Sequence, residues 1–345
     1  MLHCIDANSI KRALNEWLRR QWQGLTLWHV VLLLLSLLFA VLVALRRLAY
    51  RIGLMKSYRL PVPVIVVGNL SVGGTGKTPL VLWIVEFLRK QGYRPGIVSR
   101  GYRGRAQNPQ SVTTTSDPAL VGDEPVLLAQ RAQCPVWVGV DRVRVARALL
   151  SARPDCDVLV SDDGLQHYRM RRDFEIAVVD GQFRLGNRLM LPAGPLRESA
   201  SRLASVDAVV VTEGEAGPGQ FAMRLRGSVF YNIRNRQRTA TARDFVGRRL
   251  HALAGIGHPA RFFDHLRRLG LDVIEHGFPD HHVYQPHELH FDDADAILMT
   301  EKDAVKCMAF APENAWMLVV DAEVDISLAE HILKKLRERD GRKTT

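Results

Sequence analysis

The chain has 345 residues and carries 47 Lys and Arg against 36 Asp and Glu, a formal net charge of +11. With 47% hydrophobic residues it can bury a sizeable core, which excludes a disordered or fibrous chain. Its four cysteines (Cys4, Cys134, Cys156, Cys307) are scattered singly without a CxxC, which excludes a disulfide framework and reads as structural cysteine in a reducing compartment.

Residues 1–24 read as a short amphipathic segment at a membrane surface, and residues 25–45 contain no Asp, Glu, Lys or Arg. A helix of that second length spans roughly 31 Å, about the hydrocarbon thickness of a bilayer. The run ends in Arg46-Arg47 rather than in a small-residue cleavage site, so an uncleaved anchor, transmembrane or embedded in one leaflet, is expected. Cations flank it on both sides (Lys11, Arg12, Arg19 and Arg20 before; Arg46, Arg47, Arg51, Lys56 and Arg59 after), and the slight excess after it favours a cytoplasmic body.

The apolar run 62–67 then feeds GNLSVGGTGKTP (68–79), and an apolar-periodic helix follows through Leu80, Val81, Ile84, Val85 and Leu88. A strand, a glycine-rich turn and a helix in that order form a phosphate-binding loop, because glycine lets backbone N–H groups approach phosphate oxygens. Ser71, Val72, Gly73, Gly74, Thr75, Gly76, Lys77 and Thr78 are the expected nucleotide contacts. Lys77 supplies charge to the β- and γ-phosphates and Thr78 a hydroxyl to Mg²⁺. Ser71 stands where the common G-x-x-x-x-G-K-[ST] form has glycine, which brings the loop closer to that of partition-type ATPases and related kinases.

Strands are expected at 95–99, 136–140, 157–161, 175–180, 208–212, 273–276, 296–300 and 316–320, with helices at 122–131 and 142–152. The alternation predicts an α/β fold: a phosphate-loop NTPase-type, mostly parallel sheet with flanking helices, and a smaller second α/β lobe. The divisions read as a kinase core over 46–220, a basic linker ribbon over 221–250 and a C-terminal lobe over 251–345.

An apolar strand ends in Asp162-Asp163, where phosphate-loop proteins place an acid near Mg²⁺. Asp123 and Glu124 sit where a loop becomes a helix, a position acids also occupy as plain caps. Arg100 to Arg105 form a glycine-spaced basic loop suited to an anion or simply to solvent. The histidines at 276, 281, 282, 287 and 290 lack regular zinc spacing, and Phe278-Pro279-Asp280-His281-His282 reads as a constrained loop presenting imidazole to a carboxylate. Glu301-Lys302-Asp303 lacks the asparagine and spacing that read guanine, which favours ATP. No zinc finger or aromatic-rich RNA-binding motif accompanies the positive charge, so a bilayer rather than nucleic acid is its expected partner.

Taken together, GNLSVGGTGKTP, SRGYRG (99–104), VGDEP (121–125), SDDGLQH (161–167), LPAGPLRE (191–198), FPDHH (278–282) and MTEKDAVKC (299–307) resemble the tetraacyldisaccharide 4′-kinases of lipid A biosynthesis. The resemblance implies transfer of the γ-phosphoryl group of ATP, with Mg²⁺, to the 4′-hydroxyl of an acylated glucosamine disaccharide 1-phosphate at the cytoplasmic face of a bacterial inner membrane. It implies Asp123 as base, assisted by His281 with His282 as the alternative, and Asp162 and Asp163 around Mg²⁺. The rival is a membrane-tethered switch ATPase of the partition or targeting type. Such ATPases often place lysine where this chain has Val72. A kinase of another lipid or isoprenoid alcohol is a further alternative.

Overall fold

A computed structural model of the chain describes residues 28–102 and 104–340, together with 17, 18, 21, 22 and 26. Most of the expected surface segment 1–24, Arg103, and the basic residues Arg342 and Lys343 lie outside the described residues.

The first helix, α1 (His29–Arg51), runs past the expected end at 45 and stops at Gly53, whose φ of 82° closes the helix in the left-handed conformation. By length and composition it can cross a membrane. One stripe docks on the body: Phe39, Ala40 and Val43 pack on its core, and the Ser36 hydroxyl donates to the Met190 carbonyl at 2.8 Å. The opposite stripe is apolar and open, with Val30, Leu34 and Leu37 at 66%, 67% and 64% exposure.

The large lobe follows as β1 (Val64–Gly68), α2 (Lys77–Lys90), β2 (Pro95–Ser99), β3 (Gln110–Val112), α3 (Asp123–Arg131), β4 (Val136–Val138), α4 (Arg142–Ala152), β5 (Val158–Asp162), β6 (Phe174–Asp180), β7 (Ala208–Thr212) and β8 (Phe221–Arg226). The chain then builds β9 (Val229–Asn232), β10 (Thr239–Thr241), β11 (Leu250–Ala254), α5 (Pro259–Arg268), β12 (Ile274–Gly277), β13 (Ala296–Thr300), α6 (Glu301–Cys307) and β14 (Ala315–Leu318). It ends in β15 (Asp321–Val324) and α7 (Ile326–Asp340).

Among the described residues these strands make two sheets. The nine-stranded sheet has the order β15-β8-β7-β6-β1-β5-β2-β4-β3, parallel from β8 to β4 with antiparallel edges. The six-stranded sheet has the order β10-β9-β14-β13-β11-β12. Alternation along β1 sends Ile65 and Val67 into a core shared with α2 and α3, and Val64 and Val66 into one shared with α4 and α1. Helices therefore cover both faces of the large sheet, as a buried parallel sheet requires.

Two stretches differ from the sequence expectation. Residues 221–250 are not one linker ribbon: β8 closes onto the large sheet, while β9 and β10 pair with each other and β9 joins β14 of the small one. The expected strand 316–320 is β14, which ends at Leu318, and a further strand not expected from the sequence, β15, crosses back to pair antiparallel with β8. Helix α7 follows it and buries Leu328, Ile332 and Leu336 in the core of the large lobe. The second lobe is thus an insertion between β8 and β15 rather than a C-terminal appendix. Apolar periodicity identifies buried faces but not the sheet in which they are buried.

Candidate active site

Between the lobes lies a cavity of about 2210 Å³, walled on one side by the phosphate loop and on the other by the segments after β11, β12 and β13. Residues 72–78 all line it, together with Asp162, Asp163, Glu124, His281 and Lys302. The loop follows β1, whose five residues are fully buried, so its position is fixed by the middle of the sheet. Gly76 caps α2 at φ 83°, and a β-carbon there would sit 3.1 Å from Thr212 Cγ2 and 3.2 Å from Met223 Cε. Glycine is favoured at 76 by the left-handed conformation, and a side chain there would also press Thr212 and Met223 aside by a few tenths of an ångström. The first amides of α2 have no intrahelical acceptor, which makes this end receptive to anions.

The two acids after β5 differ in surroundings. Asp163 takes the left-handed conformation (φ 48°) and pairs with Lys77 at 3.5 Å and Arg197 at 3.1 Å. Burial acts to raise its carboxyl, but Lys77, Arg197 and Arg142 outweigh it and hold it well below the usual range. Asp162 is 1% exposed; one oxygen accepts from the Ser99 hydroxyl at 3.2 Å, and Oδ1 has no hydrogen-bond partner among the described residues. Burial, with the charges of Glu124 and Asp163, pushes Asp162 up to about 7 despite Lys77 and Arg142. A buried oxygen without a partner is costly unless something occupies it. With the Thr78 hydroxyl on the same cavity, the donor set is all oxygen and suits a hard divalent cation such as Mg²⁺. Arg142, itself buried, fixes this turn by donating to the carbonyls of Asp162 at 3.1 Å and Asp163 at 2.7 Å.

Asp123 is the first residue of α3, entered through Gly122 at φ 94°. Its carboxylate meets His281, 158 positions away on the other lobe: Nδ1 lies 2.9 Å from Oδ2 and 3.2 Å from Oδ1. Burial acts to raise the Asp123 carboxyl, but the hydrogen bond from His281, the Lys302 charge and more distant Lys306 bring it down to about 2. A carboxylate that is ionised accepts, so Nδ1 donates. His281 itself is held at φ 60° by its N–H donating to the Gly255 carbonyl at 3.1 Å. His282 turns the other way and bonds Glu288 at 2.9 Å, so it does not meet Asp123.

The structure thus brings Lys77, Thr78, Asp162 and Asp163 to one cavity, with His281 on its wall and Asp123 buried behind. Glu124, Arg197 and Lys302 fall within the VGDEP, LPAGPLRE and MTEKDAVKC motifs, but nothing in the sequence assigns them a contact in this site. Glu124 bonds Lys302 at 2.9 Å, Lys302 stands 3.5 Å from Nε2 of His281, and Arg197 anchors Asp163. Outside its motif, the local mark of Lys302 is a lysine between two acids directly after an apolar strand. The other histidines disperse: His276 stacks on His251, and His290 lies exposed beside Asp292. Burial raises the thiols of Cys134 and Cys307 to about 12 and that of Cys156 to about 11, which leaves them unreactive.

A family model described as tetraacyldisaccharide-1-P 4′-kinase matches residues 28–337. The chain is 51% identical over 325 residues to the tetraacyldisaccharide 4′-kinase of Methylobacillus flagellatus, covering 94% of this chain and 97% of that one. It is 53% identical over 309 residues to the enzyme of that name from Azoarcus sp., covering 88% and 90%. LpxK from Aquifex aeolicus, whose crystal structure is in complex with ATP, superposes with a TM-score of 0.76 at 28% identity, covering 90% of this chain and 100% of that one.

Proposed function

Because the chain belongs to the tetraacyldisaccharide 4′-kinase family, we propose that its interlobe cavity is where a phosphoryl group passes from ATP to a lipid-borne sugar, with Asp123 as the base. The protein is a kinase of lipid A biosynthesis that transfers the γ-phosphoryl group of ATP to the 4′-hydroxyl of tetraacyldisaccharide 1-phosphate. The switch-ATPase alternative falls with the family match.

The roles follow from the chemistry. Phosphoryl transfer asks for an acceptor oxygen held in line with the γ-phosphorus and for neutralisation of charge on the transferred oxygens. Lys77 and the amides of 72–78 meet the phosphates, and Lys77 leaves Asp163 for the γ-phosphate when nucleotide enters. Thr78 and Asp162 Oδ1, which has no partner among the described residues, would hold Mg²⁺, with Asp163 adjoining. When bound, the ion neutralises charge shared by the β- and γ-phosphates. The Asp123 carboxylate accepts the proton of the 4′-hydroxyl as that oxygen bonds to the γ-phosphorus and the bond to ADP breaks. A carboxylate held near 2 is a weak base, which suits a loose transition state where the proton leaves late. His281 orients it from the opposite lobe.

The observation that carries this reading is the 2.9 Å contact between Asp123 and His281 at the cavity that the phosphate loop lines. The outward stripe of α1 supports a seat for the body against the cytoplasmic face of the inner membrane, where ATP and a lipid head group meet. Arg46, near the end of α1, lines the same cavity, so the head group reaches it while the acyl chains stay in lipid.

The test is transfer of ³²P from γ-labelled ATP to the disaccharide 1-phosphate in detergent micelles. Lys77→Ala and Asp123→Ala both lose transfer, and Asp123→Ala still binds Mg·ATP. Near-native turnover of Asp123→Ala would remove it from the role of base.

A further inference from the structure

Lys302 has no part in the roles above, yet it occupies the point where both lobes' charges converge. It is the second residue of α6, two positions after Thr300, whose side chain caps that helix by accepting from the Asp303 N–H. Its ammonium lies 2.9 Å from Glu124 Oε1, 3.4 Å from Asp280 Oδ1 and 3.5 Å from His281 Nε2. Two of these groups belong to the small lobe and Glu124 to the large one. Burial alone would lower this ammonium, but Glu124, Asp123 and Asp280 outweigh it and keep Lys302 charged.

We propose that Lys302 is a positioning residue for the phosphoryl transfer: it holds His281 as the neutral Nδ1–H tautomer, turned onto Asp123, by donating to Nε2 while Glu124 and Asp280 fix the ammonium. The inference rests on the reading of Asp123 as base. An ammonium has three donors and no acceptor, and here they find two carboxylate oxygens and one ring nitrogen. Nδ1 is committed as donor to the Asp123 carboxylate, so Nε2 is left with its lone pair toward Lys302. The tautomer of a histidine is set by the partner at its other nitrogen. Without Lys302, Nε2 faces Asp280 at 3.8 Å, an acceptor that favours a proton there. The ring would then carry protons on both nitrogens, or carry one on Nε2 and turn its lone pair to Asp123, which would leave the base without its donor.

The groups facing this imidazole are Asp123 from α3, Asp280 from its own loop, Lys302 from α6 and the Tyr102 ring 5.5 Å away. Glu124 reaches it through Lys302, and Lys306 lies further along α6 and acts on Asp123.

The experiment reads the tautomer directly, without turnover. Long-range ¹H–¹⁵N spectra of the ¹⁵N-histidine-labelled full chain are recorded at pH 7.5, with the His281 signals assigned by their loss in His281→Gln. The wild type shows the Nδ1–H pattern. Lys302→Met shifts the signals to the imidazolium or Nε2–H pattern, and Lys302→Arg, which keeps a charged donor, retains the wild-type pattern. In parallel, Lys302→Met lowers kcat of transfer at least tenfold with KM for ATP within about twofold, moves the acid limb of the pH profile, and adds nothing in a His281→Ala background. Unchanged His281 signals in a folded Lys302→Met protein that binds ATP would overturn the proposal, as would an equal loss of kcat with and without His281. Native turnover of Asp123→Ala would instead sink the reading of the base and leave the tautomer result standing.

Discussion

Asp123→Asn removes one charge and almost no volume, so its effect on stability is set by the groups around it. The carboxyl lies at about 2 in the folded protein against an ordinary 3.8. A downward shift of nearly two units corresponds to about 2 kcal/mol of stability contributed by the ionised form. The folded value is depressed, so that contribution is complete above about pH 4 and is lost as pH falls through the folded value near 2. Asparagine keeps an oxygen for His281 Nδ1–H but lacks the charge that meets Lys302. Urea unfolding in detergent should find Asp123→Asn about 2 kcal/mol less stable than wild type at pH 7, with roughly half of that gap left at pH 3. Transfer should fall on the order of 10²- to 10⁴-fold, the usual worth of a general base. Equal stability at pH 7, or a gap undiminished at pH 3, would refute the electrostatic account of this site.

The two adjacent histidines should separate cleanly. His282→Ala loses the bond to Glu288 and the stack on Phe278, so it costs about 1–3 kcal/mol in thermal or urea unfolding while transfer stays within about threefold; His281→Ala loses transfer at least 100-fold. Gly76→Ala forces a side chain into the left-handed conformation against Thr212 and Met223, a strain of about 1–2 kcal/mol that should weaken Mg·ATP binding roughly 5- to 30-fold by calorimetry.

The parts of the site written in local sequence are legible from the residues alone. The phosphate loop is a strand, a turn and a helix within a few residues, and its glycines mark where backbone must be bare. Asp162 ends a strand that pairs directly with β1, so a run of apolar residues followed by two acids is enough to place it at the nucleotide edge. The division of labour between Asp162 and Asp163 is not legible, because it depends on Arg197, Arg142 and Ser99 arriving from three other elements. Asp123 on its own reads as an ordinary helix-start acid, and its motif resemblance supplies what spacing lacks. Its partner sits on a different lobe, and no periodicity encodes a pairing across 158 positions. Lys302 lies in the MTEKDAVKC motif, but its own spacing suggests only a guanine-reading pattern, which it fails. Its meaning comes from burial among Glu124, Asp280 and His281, which a sequence cannot display.

The same limit governs where the lobes divide, and it yields a separable outcome. A cut at residue 250 looks reasonable from sequence, yet it would remove α7 with Leu328, Ile332 and Leu336, exposed by 0%, 0% and 1%. Burying each is worth about 1.5–3 kcal/mol, so together they contribute roughly 5–9 kcal/mol, comparable with the whole stability of an ordinary domain. The cut also strips β15 from β8 and leaves a new sheet edge. In that pair Arg226 lies opposite Asp321, so deleting 227–320 and joining the two by Asn-Gly makes a two-residue hairpin at existing register. Of the core cluster that α2, α3 and α7 share, only Val305 falls in the deleted span among the described residues. The excised chain should therefore fold in detergent and bind Mg·ATP through the intact phosphate loop, but transfer nothing, since His281 and Lys302 are gone. The chain cut at 250 should aggregate or show no cooperative unfolding. If it instead folded and bound nucleotide as well as the excised form does, the return of β15 and α7 would not be what completes the large lobe.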